Sequence, residues 1–398
     1  MLKKIAIVAP GVFPVPATIG GAIEQSLNLL IDQNEIFKKL EITIISTYES
    51  KAYGLSGKYK FTKFLWIHRG LLYEIINFSF RVRGKFFDNS DHLDSEIIKR
   101  HLRKNIYDKI LIHGNTTYLS SLSKVVDKEK LIFYVHSNIF GKNNKIYEAI
   151  CDLPEKILCI SHFVKNETKR NANVSEGKID VFRNTIDYDS FVNCKKKINI
   201  KLIQKLNINP QDIKILFVGR IVENKGIIHL LAALKNIEVK ETVTLIVVGS
   251  FGSGFGLEES NNLFKDRVVA IVNELNIKVV FTGFVANDEL PLYHSIGDIL
   301  VMPSFVEEAA GKAAMEAMAS GIPVITTTAG GIPEYVSSDA GILLDRDEYL
   351  VNNLTNSLVK LIENPDLREK MGRAGQKLAL NFHPNRYYED YVNAIFER

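Results

Sequence analysis

Uninterrupted apolar runs rich in β-branched residues recur along the whole chain and alternate with stretches of helical spacing. ILFVG (215–219) and TLIVVG (244–249) are typical. A strand that is apolar at every position, not at every second one, must be covered on both faces. Such strands alternating with helices are the signature of βαβ units and parallel sheets. In the first half the runs predict strands at Lys4–Val8, Ile42–Ser46, Lys63–His68, Lys109–Ile112, Leu131–Val135, Ile157–Ile160 and Ile179–Phe182. In the second half they predict Ile213–Val218, Val243–Val248, Val279–Thr282, Ile299–Met302, Val324–Thr327 and Gly341–Leu343.

A chain of 398 residues is long for one core. The expected architecture is α/β, two doubly wound Rossmann-like domains facing each other across a cleft. We expect a first domain over 1–190, a second over 191–380, and a C-terminal helix at 381–398 packing back on the first. The boundary is read from the polar, lysine-rich segment NCKKKINIKLIQKLNI, near 187–212.

Net charge is +4, unevenly spread. Residues 1–186 carry 28 Lys+Arg against 19 Asp+Glu, and residues 187–398 carry 22 against 27. The basic first half suggests an anionic partner there. Three cysteines without metal-ligand spacing argue against a disulfide framework and for a reducing cytoplasm. The chain opens on a strand-like run and has no apolar stretch of membrane-spanning length, so we expect no signal peptide and no span. No nucleic-acid-binding module is recognisable, so nucleic acid is not expected as a partner.

In open parallel sheets, ligands bind beyond the carboxyl ends of the strands. Strand Ile213–Val218 runs into GRIVENKG, which places Arg220 and Lys225 beside a helix start. A guanidinium, an ammonium and free helix N–H groups make a site for a diphosphate, although solvated surface cations are the ordinary alternative. Strand Ile299–Met302 runs into PSFVEEAAG. Ala309, Ala310, Gly311 and Lys312 then offer backbone N–H groups at a second helix start. Glu308 lies before that helix and Glu316 inside it, at a spacing that lets both face one ligand. Carboxylates accept from sugar and ribose hydroxyls. The simpler reading makes Glu308 a helix-dipole partner and Glu316 a surface residue. The surrounding Ala313, Ala314, Ala317 and Met318 argue that Glu316 is partly buried, and a buried acid usually has a partner.

FVGRIVENKG, followed by MPSFVEEAAGKAAMEAMASGIPVITTTAGGIPEYV, resembles the donor domain of retaining glycosyltransferases of family 4, with the GT-B fold. The R-x4-K pair is Arg220/Lys225 and the E-x7-E pair is Glu308/Glu316. The resemblance spans essentially the whole chain and is strongest from Ile213 to Val336. It implies transfer of a sugar from a nucleoside-diphosphate donor with net retention and no obligatory metal or other cofactor. It further implies that Arg220 and Lys225 bind the diphosphate, Glu308 touches the transferred sugar and Glu316 holds the ribose. One departure matters. Relatives often carry glycine and phenylalanine where this chain has Ala309 and Ala310, so the donor's identity does not transfer.

In the first half, APGVFPVPATIGGAIEQS places Gly20 and Gly21 at a helix start, where a phosphate or acceptor can approach the backbone. It is not the dinucleotide fingerprint. His136 ends LIFYVHSN, where relatives carry a histidine near the donor sugar; a structural histidine is the alternative. His113 ends the neighbouring strand. Ser161 and Asn184 match recurring positions and read as structural. Asp187-Tyr-Asp189, a D-x-D, reads as loop chemistry. SFGSGFG (250–256) reads as a glycine-rich loop, with Gly249 and Ser250 near the base, and FTGFV (281–285), ending in Val285, presents backbone to the base edge. KYKFTKFLWIHRGLLYEIINFSFRVRGK (58–85) mixes cations and aromatics. It suits an anionic membrane surface at the inner face of the cell membrane or a polyprenyl-diphosphate-linked acceptor, or else a strand and an amphipathic helix with a solvated face. A nucleotide-sugar epimerase of the same fold and a non-catalytic sugar-nucleotide binder are the competing readings.

Overall fold

A computed structural model describes residues 2–70, 92–137, 145–195, 199–252 and 258–396. Among them the chain forms two units. The first runs to Thr185 and takes in the chain again from Pro384; the second is Ile186–His383.

The first unit is built on a seven-stranded parallel sheet: β1 Lys3–Val8, β2 Leu40–Thr47, β3 Thr62–Ile67, β4 Lys109–His113, β5 Leu131–Val135, β6 Lys156–Cys159 and β7 Ile179–Val181. Their order is β3-β2-β1-β4-β5-β6-β7. The second unit carries six: β8 Ile213–Val218, β9 Val243–Val248, β10 Lys278–Gly283, β11 Ile299–Met302, β12 Val324–Thr327 and β13 Gly341–Leu344, in the order β10-β9-β8-β11-β12-β13. Both sheets are parallel throughout. Each is doubly wound, and strand order reverses between β1 and β4 in one and between β8 and β11 in the other. Those reversals open the crevices where ligands of such sheets sit.

The apolar runs behave as two-sided strands. Leu216, Ile246, Leu300 and Val324 feed one core cluster of the second unit, with helices Leu290–Ile296 and Lys312–Ala319 over it. Their neighbours Ile215, Phe217, Leu245, Val247, Val301 and Ile325 feed the other, under helices Ile227–Lys235 and Leu350–Ile362. Side chains alternate across a strand, so two buried faces need a continuous apolar sequence.

The lysine-rich stretch read as a boundary is structural. Helices Tyr188–Lys195 and Ile200–Lys205 belong to the second unit and bury Phe191, Leu202 and Ile203 in its core. The last helix, Pro384–Phe396, packs within the first unit. Its Tyr388 stacks on Phe37 (ring centroids 5.3 Å apart) and donates to Asn34 Oδ1 at 2.6 Å. Asn34 in turn bonds both the N–H and the C=O of Leu40, so one buried amide ties three segments together. Neutral bonds of this kind are worth about 1 kcal/mol net each, and leaving one unmade costs more.

Candidate active site

At the carboxyl edge of the second sheet three strands end in glycines with positive φ: Gly219 (146°), Gly249 (147°) and Gly283 (70°). Gly219 N–H donates to Val248 O at 2.9 Å and Gly249 N–H to Gly283 O at 3.1 Å. A Cβ on Gly249 would lie 1.9 Å from Gly219 O. The three ends therefore form a side-chain-free shelf of backbone leading into Arg220, which is exposed and makes no ion pair among the described residues. Val285, just past β10, is 8% exposed and joins the core, leaving only its backbone for a ligand.

The loop after β8 is locked onto the loop after β11. Gly226 adopts φ 74°, and a Cβ there would stand 1.9 Å from Pro303 O. Phe305 N–H donates to Asn224 O at 3.0 Å. The helix expected near Lys225 begins two residues later, at Ile227, after a single 3₁₀ turn Glu223–Lys225. This turn brings Lys225 Nζ to within 2.5 Å of Glu308 Oε1, joining the first member of the acid pair to the second member of the cation pair.

Glu308 is held from every side. Ser304 Oγ donates to its Oε1 at 2.7 Å, and Thr327 Oγ1 fixes Ser304 through its carbonyl at 2.6 Å. Gly331 N–H donates to Glu308 O at 2.7 Å. Gly330, at φ 56°, lets the chain pass so close that a Cβ would meet that oxygen at 2.3 Å. Arg346 anchors the same loop through Phe305 O (3.1 Å) and Glu307 (2.7 Å). Beyond Glu308, the backbone N–H groups of Ala309, Ala310 and Gly311 donate no backbone bond among the described residues. Gly311 itself has φ −105° and ordinary room for a side chain, so strain does not require glycine there.

Glu316 lies inside helix Lys312–Ala319 and is 5% exposed. Among the described residues this buried acid has no hydrogen-bond partner. His294 Nε2 stands 3.9 Å from Oε2, beyond hydrogen-bond reach. Burial pushes the Glu316 carboxyl up to about 7, against an opposing pull from Lys312. Burial pulls His294 down to about 3, with Lys195 adding to the effect. His294 is fully buried, and neither ring nitrogen has a partner among the described residues. Each such unsatisfied atom costs about 1–3 kcal/mol.

In the first unit the residues after β1 form a tethered loop. Val15 N–H donates to Ser46 Oγ (2.8 Å), Thr47 Oγ1 to Gly11 O (2.9 Å) and Thr18 Oγ1 to Glu49 Oε2 (2.8 Å). Glu49 also caps helix Ser50–Ser56, and its bonds to the Lys51 and Ala52 N–H groups hold its carboxyl down at about 2. Gly20 and Gly21 close the loop at φ 126° and 89°, ahead of helix Ala22–Phe37. A Cβ on Gly21 would strike the Glu24 carboxylate at 2.0 Å.

His136 and His113 are 9% and 1% exposed, and Nδ1 of His113 lies 3.0 Å from Nε2 of His136. Burial holds both rings well below the usual imidazole range and therefore neutral. Ser161 caps helix His162–Ala172, and Asn184 accepts from Ser26 at 2.7 Å. Gly20, Gly21 and His136 belong to the first unit; Arg220, Lys225, Gly249, Val285, Glu308, Lys312 and Glu316 belong to the second.

One cluster has no sequence signal. Arg69 Nη2 lies 2.5 Å from the fully buried Asp94, Tyr118 donates to the same oxygen at 2.9 Å, and both side chains close over Gly11. The D-x-D spans a helix start: Asp187, in the loop just before helix Tyr188–Lys195, accepts from Ser190, and Asp189 in the first turn meets His383 at 3.2 Å. Most of SFGSGFG and residues 71–85 of the basic, aromatic segment lie outside the described residues.

Residues 199–378 match the family model described as Glycosyl transferases group 1. Spore coat protein SA of Bacillus subtilis is 25% identical over 99% of both chains. The lipopolysaccharide 1,2-N-acetylglucosaminetransferase of Salmonella typhimurium is 25% identical over 84% of this chain and 83% of its own. The crystal structure of Anabaena Alr3699/HepE in complex with UDP and glucose shares the fold, with a TM-score of 0.74 at 18% identity over 99% of both chains. Over residues 199–378, within its second unit, this chain is thus similar to the group 1 glycosyl transferases, and its two doubly wound units share the fold of the HepE structure.

Proposed function

We propose that this protein is a metal-independent, retaining, hexosyltransferase-type glycosyltransferase. It moves a sugar from a nucleoside-diphosphate sugar to a glycan or polyprenyl-diphosphate-linked acceptor, in the synthesis of capsule or another surface polysaccharide. The observation that carries this reading is the contact between Lys225 and Glu308 at the β8/β11 reversal, with Arg220 exposed on the same post-β8 loop and in no ion pair among the described residues. Two cations and an acid standing where doubly wound sheets bind ligands suit a diphosphate joined to a sugar.

The leaving nucleoside diphosphate gains negative charge as the glycosidic bond breaks. Arg220 grips its oxygens as a fork, and the open N–H groups of Ala309, Ala310 and Gly311 face the same edge. An ammonium has three donors, so Lys225 keeps Glu308 with one and gives the others to phosphate. Glu308, aimed by Ser304 and Gly331, accepts from hydroxyls of the transferred sugar. Glu316 accepts from the ribose, and the shelf at Gly249 and the backbone of Val285 receive the base. In the first unit, Gly20 and Gly21 leave room for donor or acceptor against the backbone, and His136 is assigned to the sugar by the family resemblance alone. No side chain is assigned as nucleophile. Transfer occurs on the front face, with the departing phosphate taking the acceptor's proton. Charge neutralisation by Arg220 and Lys225 makes a cation unnecessary. The basic, aromatic segment 58–85 holds the enzyme on the anionic inner face of the cell membrane while the chain itself is cytoplasmic.

A thermal-shift screen over nucleoside-diphosphate sugars identifies the donor, since a ligand stabilises according to its affinity. With that donor, Arg220→Ala is expected to lose roughly 10²-fold or more in turnover, as for loss of one preorganised oxyanion donor. Near-normal turnover sinks the assignment.

A further inference from the structure

His294 sits on helix Leu290–Ile296 with its ring edge-on to Phe191, centroids 5.2 Å apart. Nothing in that packing needs an imidazole. A phenylalanine or leucine would fill the space without burying two polar nitrogens, yet His294 is 0% exposed with Nδ1 and Nε2 both unpartnered among the described residues. Its Nε2 lies 3.9 Å from Oε2 of Glu316, a buried carboxyl with no hydrogen bond to another described residue. The gap is about 1 Å longer than a hydrogen bond. Two unsatisfied groups facing each other at that separation form a bond that is made only when one of them shifts. Lys312, on Glu316's own helix, and Lys195, whose ammonium is bonded to Gly297 O at 2.8 Å, are the charged groups acting on the pair.

We propose that His294 is a positioning residue for ribose recognition: when the hydroxyls of a bound nucleoside diphosphate draw the Glu316 carboxylate into place, His294 Nε2–H donates to Oε2 and leaves the remaining lone pairs for the sugar. The inference rests on the reading of Glu316 as the ribose partner. Without the imidazole donor the carboxylate has no buried group to hold its ionised form, and a proton competes with the ribose for it.

Calorimetric titration with ADP, GDP and UDP selects the tightest ligand. That ligand, its 2′,3′-dideoxy analogue and inorganic pyrophosphate are then titrated into wild type, His294→Phe, His294→Gln and Glu316→Ala. Phenylalanine keeps the contact with Phe191, and glutamine returns an N–H near the position of Nε2. We expect His294→Phe to weaken the ribonucleotide roughly tenfold, the loss of one hydrogen bond to a charged group. The dideoxy analogue and pyrophosphate should change less than about twofold, and His294→Gln should recover most of the loss. Equal losses for all three ligands overturn the proposal, because they report a packing defect. An unchanged ribonucleotide affinity in His294→Phe, with ribose preference abolished in Glu316→Ala, overturns His294's role alone. Retained ribose preference in Glu316→Ala overturns the reading of Glu316 and this inference together.

Discussion

Replacing Glu316 by glutamine tests whether the second acid of the pair is a buried carboxyl that the fold keeps uncharged. The amide has the shape of the protonated acid and cannot ionise. Burial raises the native carboxyl to about 7 from an ordinary value of 4.5. The native state therefore holds a proton that the unfolded chain has released, and stability falls as pH rises from about 4.5 through about 7, then levels off. The full loss is about 3 kcal/mol, from roughly 1.4 kcal/mol for each pH unit between the two values. Glutamine escapes it. His294 contributes the opposite slope, lost as pH falls below its ordinary 6.5 towards about 3, but it is present in both proteins and cancels in the comparison. The assay is scanning calorimetry at pH 5 and pH 8, following the transition that a nucleoside diphosphate raises. Glu316→Gln should gain about 2–3 kcal/mol on wild type between the two pH values, or about 4–12 °C for a unit of some 200 residues. The same substitution should weaken the nucleoside diphosphate. A stability difference that does not move with pH refutes the reasoning, because Glu316 would then be solvated or firmly paired.

Three further outcomes are expected. Gly330→Ala adds a Cβ at 2.3 Å from Glu308 O in a left-handed conformation, so the chain must shift and Glu308 with it; turnover should fall tenfold or more with circular dichroism unchanged. Prolonged dialysis against EDTA should leave turnover within about twofold of the untreated enzyme if Arg220 and Lys225 neutralise the leaving group. Vesicles containing anionic lipid should co-sediment the protein at low salt and release it at high salt; no binding at low salt removes the membrane contact.

The sheets were legible because their strands are buried on both faces and so are apolar at every position. Ile213–Val218 and Val243–Val248 were placed to the residue by that rule. The stretch after Ile186 was not, because Phe191, Leu202, Ile203 and Ile208 are spread among lysines and asparagines and their burial shows only once the helices pack. Spacing and resemblance singled out Arg220, Lys225, Glu308 and Glu316, but neither told that Lys225 and Glu308 touch. That contact depends on the 3₁₀ turn and on Gly226 meeting Pro303, and it joins residues 83 apart in the chain. The missing partner of Glu316 was beyond reach for the same reason: His294 looks like any helix residue until two helices are docked. Arg69, Asp94 and Tyr118 come from three separate elements, and no local pattern announces them.

The most direct measurement is a crystal of the protein soaked with the nucleoside diphosphate that binds most tightly. The account predicts its diphosphate at the β8/β11 reversal, with Arg220 and Lys225 on its oxygens and the ribose hydroxyls on Glu316. A diphosphate bound elsewhere, or held at that edge with Arg220 and Lys225 both turned away, contradicts it.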